Sequence, residues 1–195
     1  GNVKLKQTML SKSWVRNAYC ICECQLGGIG TTGGGTTYGA GALALKNTVG
    51  TTRSGDDTPS ATGTGSIKNY LGAAGVETQG IVIGTGDTAE SFEHYQLNTQ
   101  IAHGTSAGQM QYLAQSPALF IYDSVSKKYT VRHVRGFTNN SGSSITVKEV
   151  GWYVKLNSPN LTSYMFCRDL FSPTIPVANG ETLTITYEIS LVFPE

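Results

Sequence analysis

The sequence predicts an all-β protein, an antiparallel β-sandwich of the jelly-roll type with an extended N-terminal arm and Gly-rich loops. Three observations lead to this fold class. The chain has 24 glycines in 195 residues, and Thr, Ser, Asn and Gln supply most of its polar positions. After residue 78, strand-like segments alternate with turn signals. Helical periodicity is nearly absent, and the best candidate, residues 87–97, is long enough for only one or two turns.

The composition excludes several classes of protein. Charged residues make up 14% of the chain, against roughly 25% in an average globular protein, and the net charge is +1. Without a basic stripe, the chain lacks the electrostatic footprint of a nucleic-acid-binding protein. It also lacks an apolar run of about 20 residues that could span a bilayer, and its start lacks the apolar stretch of a secretory signal. We therefore expect no nucleic-acid partner, no membrane, and folding in the cytoplasm.

Two segments at the N-terminal end differ in their residue patterns. Residues 1–16 carry four basic residues among scattered apolar ones, and we expect an arm that becomes ordered only against another protein. Residues 17–195 form the sandwich domain in this prediction. Within it, 17–26 (NAYCICECQL) is predicted to be a strand, because alternate positions fall on one side: Ala18, Cys20, Cys22, Cys24 and Leu26.

A long Gly/Thr-rich loop region follows at residues 27–66. It holds 12 of the 24 glycines and is interrupted by one strand-like stretch at 42–48. Such a polar region buries too little apolar area to offset the entropy of ordering it. We therefore expect it, like the arm, to become ordered on a neighbouring subunit.

The remaining strands follow from period-two patterns between turn signals. They are predicted at residues 80–84, 109–115, 118–122, 128–137, 145–156, 163–168 and 181–193. Gly151 interrupts the apolar alternation of 145–156, which predicts a bulge or bend there. The last strand is predicted to be half-buried, with one apolar face formed by Leu183, Ile185, Tyr187, Ile189, Leu191 and Phe193.

The segment IVIGTGDTAESFEH raises the question of a phosphate-binding loop, because Gly84, Gly86 and Ala89 have the G-x-G-x-x-[G/A] spacing of a dinucleotide fold. That fold needs a long helix after the glycines and a parallel sheet, and neither is predicted here. Asp87 would also place a carboxylate where a phosphate should lie. We therefore predict a strand followed by a glycine turn, with no cofactor.

A second motif, GTSAG at 104–108, fits the G-x-S-x-G nucleophile elbow, and Asp123 and His133 follow Ser106 in the order of the α/β-hydrolases. The elbow requires a turn from a strand into a helix, whereas this sequence predicts a glycine turn that enters a strand. An esterase acting through Ser106 is therefore an alternative, and no catalytic residue is predicted.

Cysteines and histidines could also indicate a metal site. Cys20, Cys22 and Cys24 lie on alternate positions, with side chains roughly 7 Å apart in a strand, and Cys167 is the one remaining thiol. That spacing disfavours a shared tetrahedral ion and favours a buried face of small residues. Ligand spacing is also absent from the histidines, His94, His103 and His133. The prediction is that the chain has no metal site.

Two phrases near the C-terminus carry a resemblance to a known group. The first is RGFTNNSGSSITVKEVGWY and the second is CRDLFSPTIPVANGETLTITYEISL. They resemble the C-terminal half of virion structural proteins of tailed bacteriophages, over about residues 78–195. The matching positions are Arg135, Phe137, Thr138, Asn139, Ser141, Gly142, Glu149, Gly151 and Tyr153, then Arg168, Asp169, Pro176, Val177, Gly180, Thr182, Leu183, Thr184 and Tyr187.

The resemblance implies a non-enzymatic structural subunit of a phage-like virion, associated with the capsid and assembled in the host cytoplasm. Its expected partners are copies of itself and other virion proteins. One alternative is a tail or fibre subunit that binds carbohydrate, and another is a subunit of a pilus-like surface filament. Residues for sugar stacking would be Tyr38, Tyr70, Trp152, Tyr153 and Tyr164.

Overall fold

A computed structural model describes residues 6–11, 14–26, 45–53, 70–156 and 162–192. The described chain has one helix, α1 (Arg16–Leu26), and nine strands. The strands are β1 (Leu45–Lys46), β2 (Thr52–Arg53), β3 (Gly80–Gly84), β4 (Gln111–Tyr112), β5 (Leu119–Asp123), β6 (Lys128–Thr138), β7 (Ile145–Leu156), β8 (Thr162–Val177) and β9 (Thr182–Val192).

The main strands form two antiparallel sheets. In the first sheet the order is β3-β7-β8. In the second, β4 and β5 both pair with one side of β6, and β9 runs along the other side from Lys128↔Val192 to Thr138↔Thr182. Apolar side chains of both sheets share one core, and the arrangement is sandwich-like. The predicted fold class is confirmed, while the jelly-roll connectivity stays a prediction.

Several strands have the predicted extent, and β3 and β7 match their predicted bounds. In β9, residues 183, 185, 187 and 189 are the more buried ones, so the predicted inner face is confirmed as far as residue 189. Leu191, which was predicted on the same buried face, is 70% exposed. Strand β8 is longer than the predicted 163–168 and continues through Pro173 and Pro176. Because β8 is an edge strand, it tolerates residues that lack an N–H.

The irregularity predicted at Gly151 is present, but the extra residue is on the partner strand. Trp152 pairs with Cys167 and Tyr153 with Met165, so Phe166 of β8 is the unpaired residue. At Gly151 itself, a Cβ atom would lie 2.9 Å from the Leu97 side chain. The glycine therefore permits a close approach of the 97 loop to β7.

Two predictions of local structure were wrong. Residues 17–26 form helix α1 instead of a strand. Val15, Ala18 and Ile21 recur at helical spacing and are buried, and this period won over the alternation of the cysteines. The buried Asn17 side chain holds the helix by bonding the backbone of Lys46 and Met165. Residues 87–97 form bends and turns without a helix.

The described part of the N-terminal arm contacts its own chain. Gln7 donates to the Ser172 carbonyl, Ser11 donates to Asp169, and the Val15 N–H donates to the Phe166 carbonyl. These residues therefore run antiparallel to β8, which corrects the expectation that the arm orders only on another protein. Most of the predicted loop region lies outside the described residues, as do residues 42–44 of the predicted strand at 42–48.

No helix in the described ranges has the length and hydrophobicity needed to span a membrane.

Candidate functional site

The glycine loop after β3 does bind an anion, but the anion is a side chain of the protein. Glu149 of β7 is fully buried. Its Oε1 accepts hydrogen bonds from the N–H groups of Gly86 at 3.1 Å and Thr99 at 2.8 Å, and its Oε2 accepts from Asn98 at 3.1 Å. Of these three amides only that of Gly86 belongs to the glycine turn, and it is directed at an internal carboxylate instead of a phosphate.

Arg168 of β8 completes this cluster, which we call the Glu149–Arg168 network. Its Nε donates to Glu149 Oε2 at 2.7 Å, and a terminal nitrogen donates to the Thr88 carbonyl at 2.9 Å. The other terminal nitrogen lies 3.3 Å from His94 Nδ1. A Cβ atom on Gly84 or Gly86 would come within 2.5 Å of Glu149 Oε1. The glycines thus provide space for the carboxylate that fixes loop 85–99.

Arg135 forms a second buried polar centre, at the inner face of β6. The described structure gives it five hydrogen bonds to backbone carbonyls and places it over the Tyr112 ring, 4.9 Å from the centroid. Burial lowers the pKa of Arg135 to about 10. The guanidinium ties the chain before and within β3 to the second sheet through the carbonyls of Ala73, Val76, Gln79, Ile81 and Leu113.

Residues that carry the resemblance are therefore parts of the scaffold. Asn139 is also buried, and its side-chain amide donates to the carbonyls of Ser143 and Val177, each at 2.8 Å. Its Oδ1 accepts from the Ser141 N–H at 3.0 Å, which closes the turn before β7. Together with Arg135, Glu149 and Arg168, it holds loops against the sheets.

The hydrolase-like residues are not brought together. Asp123 Oδ1 accepts from the Val125 N–H within its own turn, and its strand partner is Lys128. His133 lies five residues further along β6, roughly 17 Å away. Its Nδ1 is 3.4 Å from Gln115 Nε2. Ser106 lies in a separate turn, where its N–H donates to Gln109.

The cysteines are divided between helix and strand. Cys20 and Cys167 are buried, and Cys22 is partly buried. Burial raises the pKa of the Cys22 and Cys167 thiols, so both favour the protonated form. The side chain of Cys24 lies outside the described residues. Within the described part, no group of three or more His, Cys, Asp and Glu side chains is placed to hold a metal ion.

The aromatic residues proposed for sugar stacking do not form a surface. Trp152, Tyr153 and Tyr164 are buried, and Tyr70 is partly buried against Trp152. The Tyr153 hydroxyl accepts the Leu97 N–H at 2.8 Å. Tyr38 lies outside the described residues. These side chains therefore stabilise the fold.

A polar cleft of about 260 Å³ lies beside Tyr153, lined by Thr48, Glu77, Gln96 and Gln100 among others. Its polar groups are partly used within the chain. Glu77 accepts the His103 N–H at 2.6 Å, and Gln100 donates to the Glu77 carbonyl at 2.6 Å. The cleft offers hydroxyl and amide groups without an exposed aromatic platform.

The strongest unassigned surface is apolar and lies at the far end of the second sheet. Phe120 (59% exposed), Tyr122 (62%), Tyr129 (39%) and Leu191 (70%) define what we call the apolar ledge. Tyr122 pairs with Tyr129, which pairs with Leu191, so these three side chains share a face of the sheet. Phe120 stands two residues from Tyr122 on the same face, and its ring stacks on Tyr129 with centroids 6.4 Å apart.

The ledge continues the inner face of the sandwich. Along β6, Tyr129 is followed on the same face by His133, Arg135 and Phe137, all of which are buried. The first sheet covers that buried part but leaves the outer end exposed. A core-like surface therefore extends into solvent.

Strand β5 is exposed on both of its faces. Leu119 and Ile121 alternate with the ledge residues and are also exposed, and Val125 in the following turn is 89% exposed. The sequence signal was the uninterrupted apolar run LFIY, which favours a strand buried on both faces. We predicted the strand itself but not its exposure, because an isolated run does not tell what covers it.

In comparisons with protein-family models, curated proteins and solved structures, no match to this chain was found.

Proposed function

We propose that the protein is a non-enzymatic structural subunit of a phage-like virion and that it works through protein–protein assembly. The single observation that carries the assembly role is the apolar ledge: four large apolar side chains on one face of an edge region, exposed while the core beside them is covered. Contiguous exposed apolar patches of this kind mark interaction sites in soluble proteins. The low content of charged residues further reduces repulsion between copies.

The virion assignment is supported by the resemblance over residues 78–195. The motif residues Arg135, Asn139, Glu149 and Arg168 are buried scaffold residues, which fits a group defined by its fold rather than by a reactive site. In this proposal the subunit is associated with the capsid, binds copies of itself and other virion proteins, and is assembled in the host cytoplasm.

The test is assembly of the purified chain, measured by light scattering and negative-stain electron microscopy across a concentration series. We expect oligomers or regular particles from the wild type, and their loss in the double variant Phe120→Ser/Leu191→Ser. The matched control is Leu10→Ser/Val49→Ser, which removes two exposed apolar side chains elsewhere. Equal assembly by the ledge variant and the wild type would refute the role of the ledge.

A second candidate, carbohydrate binding in a tail or fibre subunit, is favoured by one observation. The Phe120 and Tyr129 rings are inclined by only 22°, stack on each other and are exposed at the surface. Such faces stack on sugar rings. Glycan-array binding by the monomer that is lost in Tyr129→Ser would favour this function over assembly.

A further inference from the structure

We propose that β5 pairs antiparallel with β5 of a second copy of this chain, about a two-fold axis that passes between the Ile121 residues of the two copies. This inference rests on the proposed assembly function and names its partner. It is argued from the free edge of β5, from the sequence of the strand and from the charges around it.

The outer edge of β5 is available for pairing. The strand pairs with β6 from Leu119↔Arg132 to Asp123↔Lys128, and no other described residue pairs with it. Soluble proteins protect such edges with inward charges, lysine, proline or a bulge. Between residues 119 and 122 the strand carries only apolar and aromatic side chains, and its pairing with β6 has no register shift.

The sequence of β5 is complementary to itself in the antiparallel direction. With the axis at Ile121, Phe120 of one copy lies opposite Tyr122 of the other, so the pairing forms two aromatic pairs. Leu119 then lies opposite Asp123 at both ends, and Ile121 lies opposite itself. A two-fold axis perpendicular to the sheet keeps equal faces on the same side. The two apolar ledges therefore join into one surface.

Charge selects the antiparallel direction. The β5–β6 turn ends each hairpin with Lys127 and Lys128, both exposed. In the antiparallel pair the two turns point in opposite directions, so the lysines of one copy lie near residues 117–119 of the other, which carry no charge. A parallel pair would place the lysines of the two copies side by side, and like charges would then repel.

The product is a continuous six-stranded sheet across two copies, in the order β9-β6-β5-β5-β6-β9. On each face of the sheet, the side chains of β5 then contact the side chains of the paired β5 from the second copy. This pairing accounts for the exposed apolar residues on both faces of β5 in a single copy. The joined ledge remains open on one side as a larger apolar surface for the next layer of an assembly.

Cysteine cross-linking tests the register directly. Ile121→Cys should form a disulfide-linked dimer under mild oxidation, with the 121–121 linkage identified by mass spectrometry. The matched control is Leu119→Cys, also exposed, whose counterpart in the second copy would lie roughly 14 Å away, beyond disulfide reach. The oxidised wild type measures the background from the native cysteines. Equal cross-linking at 119 and 121, or none at 121, would overturn the register.

A second variant measures the energetic contribution of the edge. Ile121→Lys places a charge on each strand at the axis, where the two ammonium groups face each other. We expect self-association to weaken roughly tenfold, which corresponds to about 1.4 kcal/mol, in analytical ultracentrifugation. If the wild type assembles through the ledge while Ile121→Lys has no effect, the pairing is wrong and the proposed function stands. Protection of 119–123 from hydrogen exchange only after another virion protein is added would overturn the second copy as the partner.

Discussion

The two ends of the sandwich invert the usual distribution of side chains. At one end, Glu149 and Arg168 are fully buried and paired, with loop 85–99 folded over them. At the other end, the apolar ledge is exposed and β5 has no cover on either face. A charged pair is therefore buried at one end, and a group of large apolar side chains is exposed at the other.

The two ends differ in whether their side chains find interaction partners within the chain. Each oxygen of Glu149 accepts at least two hydrogen bonds from within the chain, so the cost of burying its charge is offset locally. The ledge has nothing comparable, because its apolar area stays in contact with water. The buried end should therefore govern stability, whereas the exposed end should govern association.

The largest expected effect comes from breaking the buried ion pair. Arg168→Met leaves Glu149 charged and without its cationic partner, which should reduce the free energy of unfolding by about 3–5 kcal/mol. Denaturant unfolding of the monomer at neutral pH measures this change. Glu149→Gln, which leaves Arg168 unpaired, should cost a similar amount.

A matched exposed ion pair serves as the control. Arg132 and Glu188 bond at 2.6 Å on the outer face of the second sheet, and both are well exposed. Arg132→Met should change stability by about 1 kcal/mol or less. Equal losses for Arg132→Met and Arg168→Met would contradict the assignment of stability to the buried end.

A smaller change in the free energy of unfolding is expected at His133, which lies between the two ends. Its ring lies 4.4 Å from the Trp152 ring and beside Gln115, and burial lowers its pKa. Because the folded-state pKa is lower than the unfolded value of about 6.5, the unfolded chain takes up the proton first as the pH falls. The contribution of the neutral His133 ring to stability is therefore fully present above about pH 6.5. It is lost as the pH falls from there through the lower pKa of the folded state.

The variant His133→Gln isolates this contribution. Free energies of unfolding measured from pH 7.5 to pH 5 should fall less steeply in the variant than in the wild type. His94, whose pKa is lowered by burial and by Arg168, should supply much of the remaining slope. Parallel pH profiles for the variant and the wild type would show that His133 is not a source of this dependence.

The sequence predicted the strands well because their alternation is local. The inner face of β9 as far as residue 189 follows from period two, whereas the bounds of β3 follow from a short apolar run that ends at a glycine turn. Helix α1 was missed because NAYCICECQL satisfies a strand period and a helix period at once, and tertiary contacts of Asn17 and Ile21 favour the helix.

The two ends were not predictable from local patterns. Nothing near Gly86 indicates that its N–H binds Glu149, 63 residues away in sequence. Likewise LFIY predicts a strand but not whether a second sheet covers it. Both depend on where the sheets overlap, and the overlap is set by pairing over the whole chain.

The smallest expected effect on stability is at the ledge, and it completes the comparison. Phe120→Ser removes an aromatic side chain that is 59% exposed, so the free energy of unfolding of the monomer should change by about 0.5 kcal/mol or less. Phe137 lies eight residues beyond Tyr129 on the same face of the second sheet but is fully buried, so Phe137→Ala should cost about 3–5 kcal/mol. Denaturant unfolding at a protein concentration at which light scattering shows a monomer measures both changes. A large loss for Phe120→Ser would mean that the ledge belongs to the core of the monomer, and the case for an exposed assembly surface would then fail.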